Sequence, residues 1–356
     1  MKKHNFSAGP SILPQEVFQE AAESLVNYNN SGLSILEISH RSQMFIDIMD
    51  EAVALVKKLL VLPDNYHPIF LSGGATSQFY MTAMNFLNED ETAAYIDTGV
   101  WSVKAIKDGG LYGNIVQAAS SEDENYAYIP KSINVTAEAK YLHLTTNNTI
   151  YGTQFHEIPT VDIPIVADMS SDIFSRKLDI EKYGVIYAGA QKNTGAAGTT
   201  LVIIREDMLK MVKRELPVML KYENHIKKNS ALNTPPVFPI YVSLLNLRWL
   251  DRFGGVEAIR KLNEAKAALI YQEIDRNSLF IGNVKTEDRS IMNATFNLKD
   301  QSLTADFLAA CDAADIVGIK GHRLSGGFRA SMYNALKLEN VQALVDVMAQ
   351  FEADRN

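Results

Sequence analysis

Apolar side chains recur at helical spacing over residues 13–31, at Val17, Phe18, Ala21, Leu25 and Tyr28, before the helix stop Asn29-Asn30-Ser31-Gly32. The stretch SQMFIDIMDEAVALVKKLLVL (42–62) predicts a second amphipathic helix, closed by Pro63-Asp64-Asn65. From residue 68 the period shortens. PIFLSGG reads as a strand meeting a Gly-Gly turn, and ATSQFYMTAMNFL returns to helical spacing through Phe79, Ala83, Phe86 and Leu87. Short apolar runs follow at TAAYIDTG, NIVQAAS, YLHLTTN, IPIVADMS, GVIYAGA and TTLVIIR, with helical or loop segments between them. Strands alternating with helices predict an α/β fold, its mostly parallel sheet covered on both faces. A helical region around 241–275 precedes strands of its own kind in RSIMNATFNL and FRASMYNA. A domain boundary is expected near residues 250–260.

Composition narrows the picture. A chain of 356 residues exceeds what one hydrophobic core usually supports, so two domains are expected. The net charge of −8 speaks against a nucleic-acid or anionic-membrane partner, both of which favour a basic footprint. One cysteine, Cys311, excludes an internal disulfide and points to a reducing compartment. The start, MKKHNFSAGPSILP, has no apolar run behind its lysines, and no segment approaches the roughly 20 apolar residues of a membrane helix. A cytoplasmic setting is expected. No HExxH, cysteine pair, G-x-S-x-G, G-x-G or phosphate-loop motif occurs, so no dedicated metal site, serine-hydrolase elbow or dinucleotide fingerprint is expected.

What remains is a set of groups at strand ends. Lys192, in YAGAQKNTGAAG, follows a strand with no acidic neighbour in its window. A charge taken out of water needs a partner, or loses its proton, or has its nitrogen engaged covalently. Asp168 ends the preceding strand, where open α/β sheets bind ligands, although it reads almost equally as an N-cap. The turn LSGGATS opens a helix whose first N–H groups suit a phosphate, and alone it reads as readily as a plain strand-to-helix turn. Trp101 offers a flat face to a planar ligand, or fills a core. A phosphate cradle, a stacking surface, an acid and a lysine are together what pyridoxal 5′-phosphate requires.

Six blocks then resemble the phosphoserine aminotransferase family, within the class-V, fold-type I pyridoxal-phosphate enzymes. They are NFSAGPSILP, SHRS, ADMSSDIFSR, YAGAQKNTGAAG, NTPPVFPIY and HRLSGGFRASMYNA, in order from residue 5 to 335. The resemblance implies a large cofactor-binding domain (15–255) with a mostly parallel mixed sheet flanked by helices. A smaller α+β domain would comprise residues 1–14 and 256–356. It implies amino transfer between L-glutamate and 3-phosphohydroxypyruvate, and in bacteria also on a phosphohydroxythreonine ketone in vitamin B6 synthesis. An alanine–glyoxylate or serine–pyruvate type aminotransferase is the alternative acceptor class. A phosphate-ligand-binding protein without catalysis is the alternative outside enzymes.

By the resemblance, Lys192 is the Schiff-base lysine, Asp168 the partner of the pyridine nitrogen, and Trp101 the stacking ring. Thr149 meets the ring hydroxyl, and Ala75, Thr76 and Gln191 hold the phosphate. Asn233 and Thr234 reach the phosphate of the neighbouring subunit, which implies a homodimer with shared sites. Arg329 is the expected α-carboxylate clamp, since two-pronged geometry favours arginine over lysine. His40, Arg41, His322 and Arg323 are candidates for the distal phosphate or carboxylate, and Ala8 approaches substrate through its backbone. Two positions depart from the family pattern: many relatives carry arginine where Thr76 stands and proline where Ala196 stands.

Overall fold

The structure, a computed structural model, describes residues 3–211 and 214–355. Strands β1 (Tyr66–Ser72), β2 (Thr92–Asp97), β3 (Asn114–Ser120), β4 (Ala139–Thr145), β5 (Ile165–Asp168), β6 (Tyr183–Gly189) and β7 (Thr199–Arg205) form one sheet in the order β1-β7-β6-β5-β4-β2-β3. Only β7 runs against its neighbours. Pro68, which lacks an amide proton, is tolerated because β1 is an edge strand.

Alternation along the strands sorts the core into two layers. Ala94, Ile96, Leu142, Leu144, Ala167, Ile186, Leu201 and Ile203 face α2 (Gln43–Leu60) and a later helix, α5 (Val237–Arg252). Ala93, Tyr95, Tyr141, Val166, Val185, Tyr187 and Val202 face α3 (Thr76–Phe86) and α4 (Val100–Gly109). Both faces are therefore buried, which is why these strands read as near-continuous apolar runs. Among the described residues no helix is long and apolar enough to cross a membrane.

The first helix, α1 (Gln15–Asn27), corrects the stripe read from the sequence. Val17, Ala21 and Tyr28 are buried, joined by Ser24, whose hydroxyl donates to the Ala21 carbonyl. Phe18 and Leu25 lie at the surface, 44% and 40% exposed. They sit one residue on from Val17 and Ser24, about 100° round the helix, and α1 has α5 as its main packing partner along one seam.

A separate core gathers the C-terminal elements. An antiparallel sheet of β8 (Phe280–Gly282), β9 (Asn293–Leu298) and β10 (Phe328–Ser331) packs with α7 (Thr304–Ala313) and α8 (Leu338–Ala353) around Phe280, Phe296, Phe307, Phe328 and Phe351. Residues His4–Asn5 pair in parallel with Ile316–Val317, and Phe6 is buried in this core. Helix α6 (Gly255–Arg276) belongs to both bodies: Val256 and Ile259 join the sheet's core, while Ala267, Ile270 and Ile274 join the C-terminal one.

Candidate active site

Five parallel strand ends deliver side chains to one edge of the large sheet. Asp168 and Tyr187 are paired across β5 and β6, and Thr145 is paired with Asp168 across β4 and β5. In parallel strands paired residues share a face, so all three point toward the α3–α4 layer. Beyond these ends lies a cavity lined by Ala75, Thr76, Trp101, Thr145, Thr149, Asp168, Gln191 and Lys192. A wider groove between the end of α2, residues 176–181 and the start of α6 contains none of the candidate residues.

Lys192 projects into the cavity, where its Nζ donates to Thr149 Oγ1 at 2.8 Å. Desolvation lowers its ammonium to about 8; Asp168 pulls the other way, and Arg329 adds to the lowering. Burial pushes the Asp168 carboxyl above the usual range, opposed by bonds from Ser170, whose backbone N–H donates to Oδ1 at 2.9 Å. The acidic neighbour missing from the local sequence of Lys192 is thus supplied by the preceding strand, β5.

The turn into α3 begins at Gly73, whose φ of +106° suits glycine and whose N–H donates to the Gly198 carbonyl at 3.0 Å. It brings Ala75 and Thr76, at the start of α3, to the cavity. The N-terminal segment covers the lysine loop: the Ser11 N–H donates to the Gln191 carbonyl (2.9 Å) and the Ser11 hydroxyl to the Lys192 carbonyl (3.1 Å). The Ala8 carbonyl accepts a 2.7 Å bond from the Tyr333 hydroxyl.

Arg329 arrives from β10 and donates through Nη1 to the Thr149 carbonyl at 3.2 Å. Its Nε is buried without a partner. His322, half-buried, is lowered by burial and then by repulsion from Arg329, Arg323 and Lys104, so these cations act within one field. Lys104 itself stands 4.6 Å over the Trp101 ring.

Ala8, His322, Arg323 and Arg329 lie outside the cavity wall itself, Arg329 being tied to it through Thr149, and four further candidates do not join it within one chain. Asn233 and Thr234 are exposed, and Asn233 borders a different groove with Tyr80 and Met219. His40 and exposed Arg41 lie in the loop before α2 and are absent from the cavity wall. The sequence reading missed Thr145, Ser170 and Tyr333. Thr145 carries a usable signal, since it ends a strand as Asp168 does. Tyr333 carries none, because its approach to Thr149 and Ala8 is fixed only by long-range packing.

Pyridoxal phosphate fits these residues. Trp101 Nε1 and Thr145 Oγ1 are buried polar atoms on the wall with no protein partner, as is Arg329 Nε nearby. A planar, polar ligand would satisfy them. A lysine with a lowered pKa faces an acid, and a helix N-terminus stands ready for a phosphate.

Residues 3–344 match the model of the class-V aminotransferases. The chain belongs to that family of pyridoxal-phosphate-dependent transaminases of fold type I, and its close relatives within it are phosphoserine aminotransferases. The phosphoserine aminotransferase of Flavobacterium psychrophilum is 56% identical over 353 residues, 99% of each chain. The solved enzyme of that name from Bacillus circulans subsp. alkalophilus superposes with a TM-score of 0.97 at 44% identity, covering 100% of this chain and 99% of the other. A PLP-bound phosphoserine aminotransferase from Trichomonas vaginalis gives a TM-score of 0.93 at 37% identity, covering 98% and 100%.

Proposed function

We propose that the enzyme transfers an amino group between L-glutamate and 3-phosphohydroxypyruvate, giving O-phospho-L-serine and 2-oxoglutarate in serine biosynthesis. It also acts on the phosphohydroxythreonine ketone of pyridoxine synthesis, in the cytoplasm, as a homodimer. The observation that carries the reading is Lys192 facing Asp168 in one cavity, with Arg329 bonded to the Thr149 that lines it, in a chain 56% identical to a phosphoserine aminotransferase. The proposed large domain, 15–255, supplies the lysine and the acid. The proposed small domain, 1–14 with 256–356, supplies Arg329 and Ala8.

When bound, pyridoxal phosphate would supply an electron sink for the pair left at the amino acid's α-carbon. Asp168, buried and braced by Ser170, would accept the hydrogen bond of the ring nitrogen and keep that nitrogen charged. Trp101 would stack on the ring, while Thr149 would hold the ring hydroxyl. Ala75, Thr76 and Gln191 bind the phosphate. Lys192 holds the cofactor at rest, and its Nζ then carries the proton off the substrate carbon. A pKa near 8 leaves an appreciable fraction in the basic form at neutral pH. Arg329 clamps the α-carboxylate, which gives its buried Nε a partner. His322 and Arg323 meet the distal anion.

Support for the dimer comes from the surface. Leu25, Val26, Leu33 and Leu36 form an exposed apolar series, Val26 at 81% and Leu36 at 66%. Asn233, Thr234, His40 and Arg41 lie outside their own chain's cavity, as residues serving a neighbour's site would.

Steady-state comparison of acceptors tests the proposal. With L-glutamate as donor, kcat/KM for 3-phosphohydroxypyruvate is expected to exceed that for glyoxylate or pyruvate by about 100-fold or more, the discrimination that several charge-assisted bonds supply. Preference for an unphosphorylated acceptor would give the alanine–glyoxylate or serine–pyruvate reading instead. Purified protein without a visible absorbance band dependent on Lys192 would point to a non-catalytic binder.

A further inference from the structure

Among the described residues Lys266 is the lysine with no exposed surface at all, and none of its partners is a carboxylate. Its Nζ donates to the carbonyls of Met332 (2.9 Å) and Tyr333 (2.8 Å). Burial by itself pushes the ammonium down to about 7. One turn earlier on α6, Asn263 donates to Asn334 Oδ1 at 2.8 Å. Two residues on one helical face therefore grip three consecutive residues, those directly after the strand that bears Arg329.

The gripped residues lead straight to the chemistry. The Tyr333 hydroxyl donates to the Ala8 carbonyl at 2.7 Å and reaches the Thr149 hydroxyl, which accepts from Lys192. The Asn334 N–H donates to Oδ1 of Asn193 at 3.0 Å, beside Lys192, and its side chain donates to the Phe174 carbonyl at 3.0 Å. The Asn193 carbonyl in turn accepts from Asn246 of α5 at 2.6 Å. A methionine would fill the same volume without the desolvation cost of a buried ammonium. The ammonium instead ties α6 to the segment that follows the strand of Arg329, and Asn334 in that segment reaches the lysine loop.

We propose that Lys266 is a positioning residue for the transamination: with Asn263 it fixes residues 332–334, and thereby the placement of Arg329 and the Tyr333 hydroxyl relative to Thr149 and Lys192. The proposal rests on the roles given above to Lys192 and Arg329.

The test compares Lys266→Met, Lys266→Gln, Tyr333→Phe and the Lys266→Met/Tyr333→Phe double variant as pyridoxal-phosphate-loaded enzymes. Lys266→Met takes the ammonium from the buried Met332 carbonyl and leaves the Tyr333 carbonyl with the Leu336 N–H alone, and is expected to raise KM for L-glutamate about tenfold while kcat falls less than about threefold. The pH midpoint of the visible absorbance band is expected to move with it. Lys266→Gln, which restores two N–H donors, is expected to recover most of the loss. The double variant is expected to be no worse than the poorer single one, because both changes interrupt the same path. A lower unfolding temperature with KM and absorbance midpoint at wild-type values overturns the proposal, as does strict additivity in the double variant. Should Lys266→Met fail to fold, Asn263→Ala tests the same clasp, and an unchanged KM for glutamate overturns it equally. Wild-type enzyme without a visible band or transamination would sink the functional reading instead, so the two failures are distinguishable.

Discussion

Lys192 is the residue whose chemistry is set most directly by its surroundings. A lysine amine attacks an aldehyde only in its unprotonated form. With the ammonium lowered from 10.5 to about 8, uptake of pyridoxal phosphate by cofactor-free enzyme is expected to accelerate with pH and level off just above pH 8. Growth of the visible band after mixing measures it, and a midpoint near 10 would contradict the environment described. Arg329 contributes to the lowering, so Arg329→Gln is expected to raise the midpoint; Asp168 opposes it, so Asp168→Asn is expected to drop it. Cys311 is the opposite case. Burial in the C-terminal core pushes its thiol up to about 12, which leaves a packing residue rather than a nucleophile.

At the scale of elements, the cavity depends on how β2 hands over to α4. Asp97 ends β2, and its carboxylate accepts from the Gly99 N–H (3.3 Å) and from the hydroxyls of Ser102 (3.0 Å), Ser120 (3.2 Å) and Tyr126 (3.3 Å). Those bonds fix the turn that presents Trp101. Gly99 adopts φ +149°, and a Cβ there would stand 2.8 Å from the Tyr151 ring. Gly99→Ala is therefore expected to cost about 1–3 kcal/mol and to weaken cofactor binding as Trp101 shifts. Thermal unfolding and a pyridoxal-phosphate titration check both parts; retention of wild-type affinity would show that the turn does not set the position of Trp101. Little of this was legible beforehand. The strand and the helix were written in local periodicity, whereas the crowding by Tyr151 depends on a loop some fifty positions away.

The whole molecule is two cores joined by α6, with the first residues of the chain packed into the C-terminal core. Its site gathers side chains from both, and the exposed series Leu25, Val26, Leu33 and Leu36 supports a second copy completing it. Leu36→Asp is expected to shift sedimentation from twice the chain mass toward the monomer, and to weaken cofactor retention about tenfold or more as the partner's contacts are lost. A wild-type protein that sediments as a monomer while fully active would dispose of the shared site.

By itself the sequence determined the alternation of strands and helices, and the appearance of Asp168 and Lys192 at successive strand ends. Those features arise from neighbours in the chain and repeat with the period of the backbone. It also carried the family motifs, and so the candidate residues. Tertiary structure alone decided that Phe18 and Leu25 stay outside, because α1 packs along one seam. It decided that Arg329, and not Arg41 of the same chain, stands beside Thr149. It brought in Thr145, Tyr333 and Lys266, whose partners are set by register and by contacts between distant segments. Such contacts leave no periodic trace in the sequence, because one closure of the chain fixes each of them.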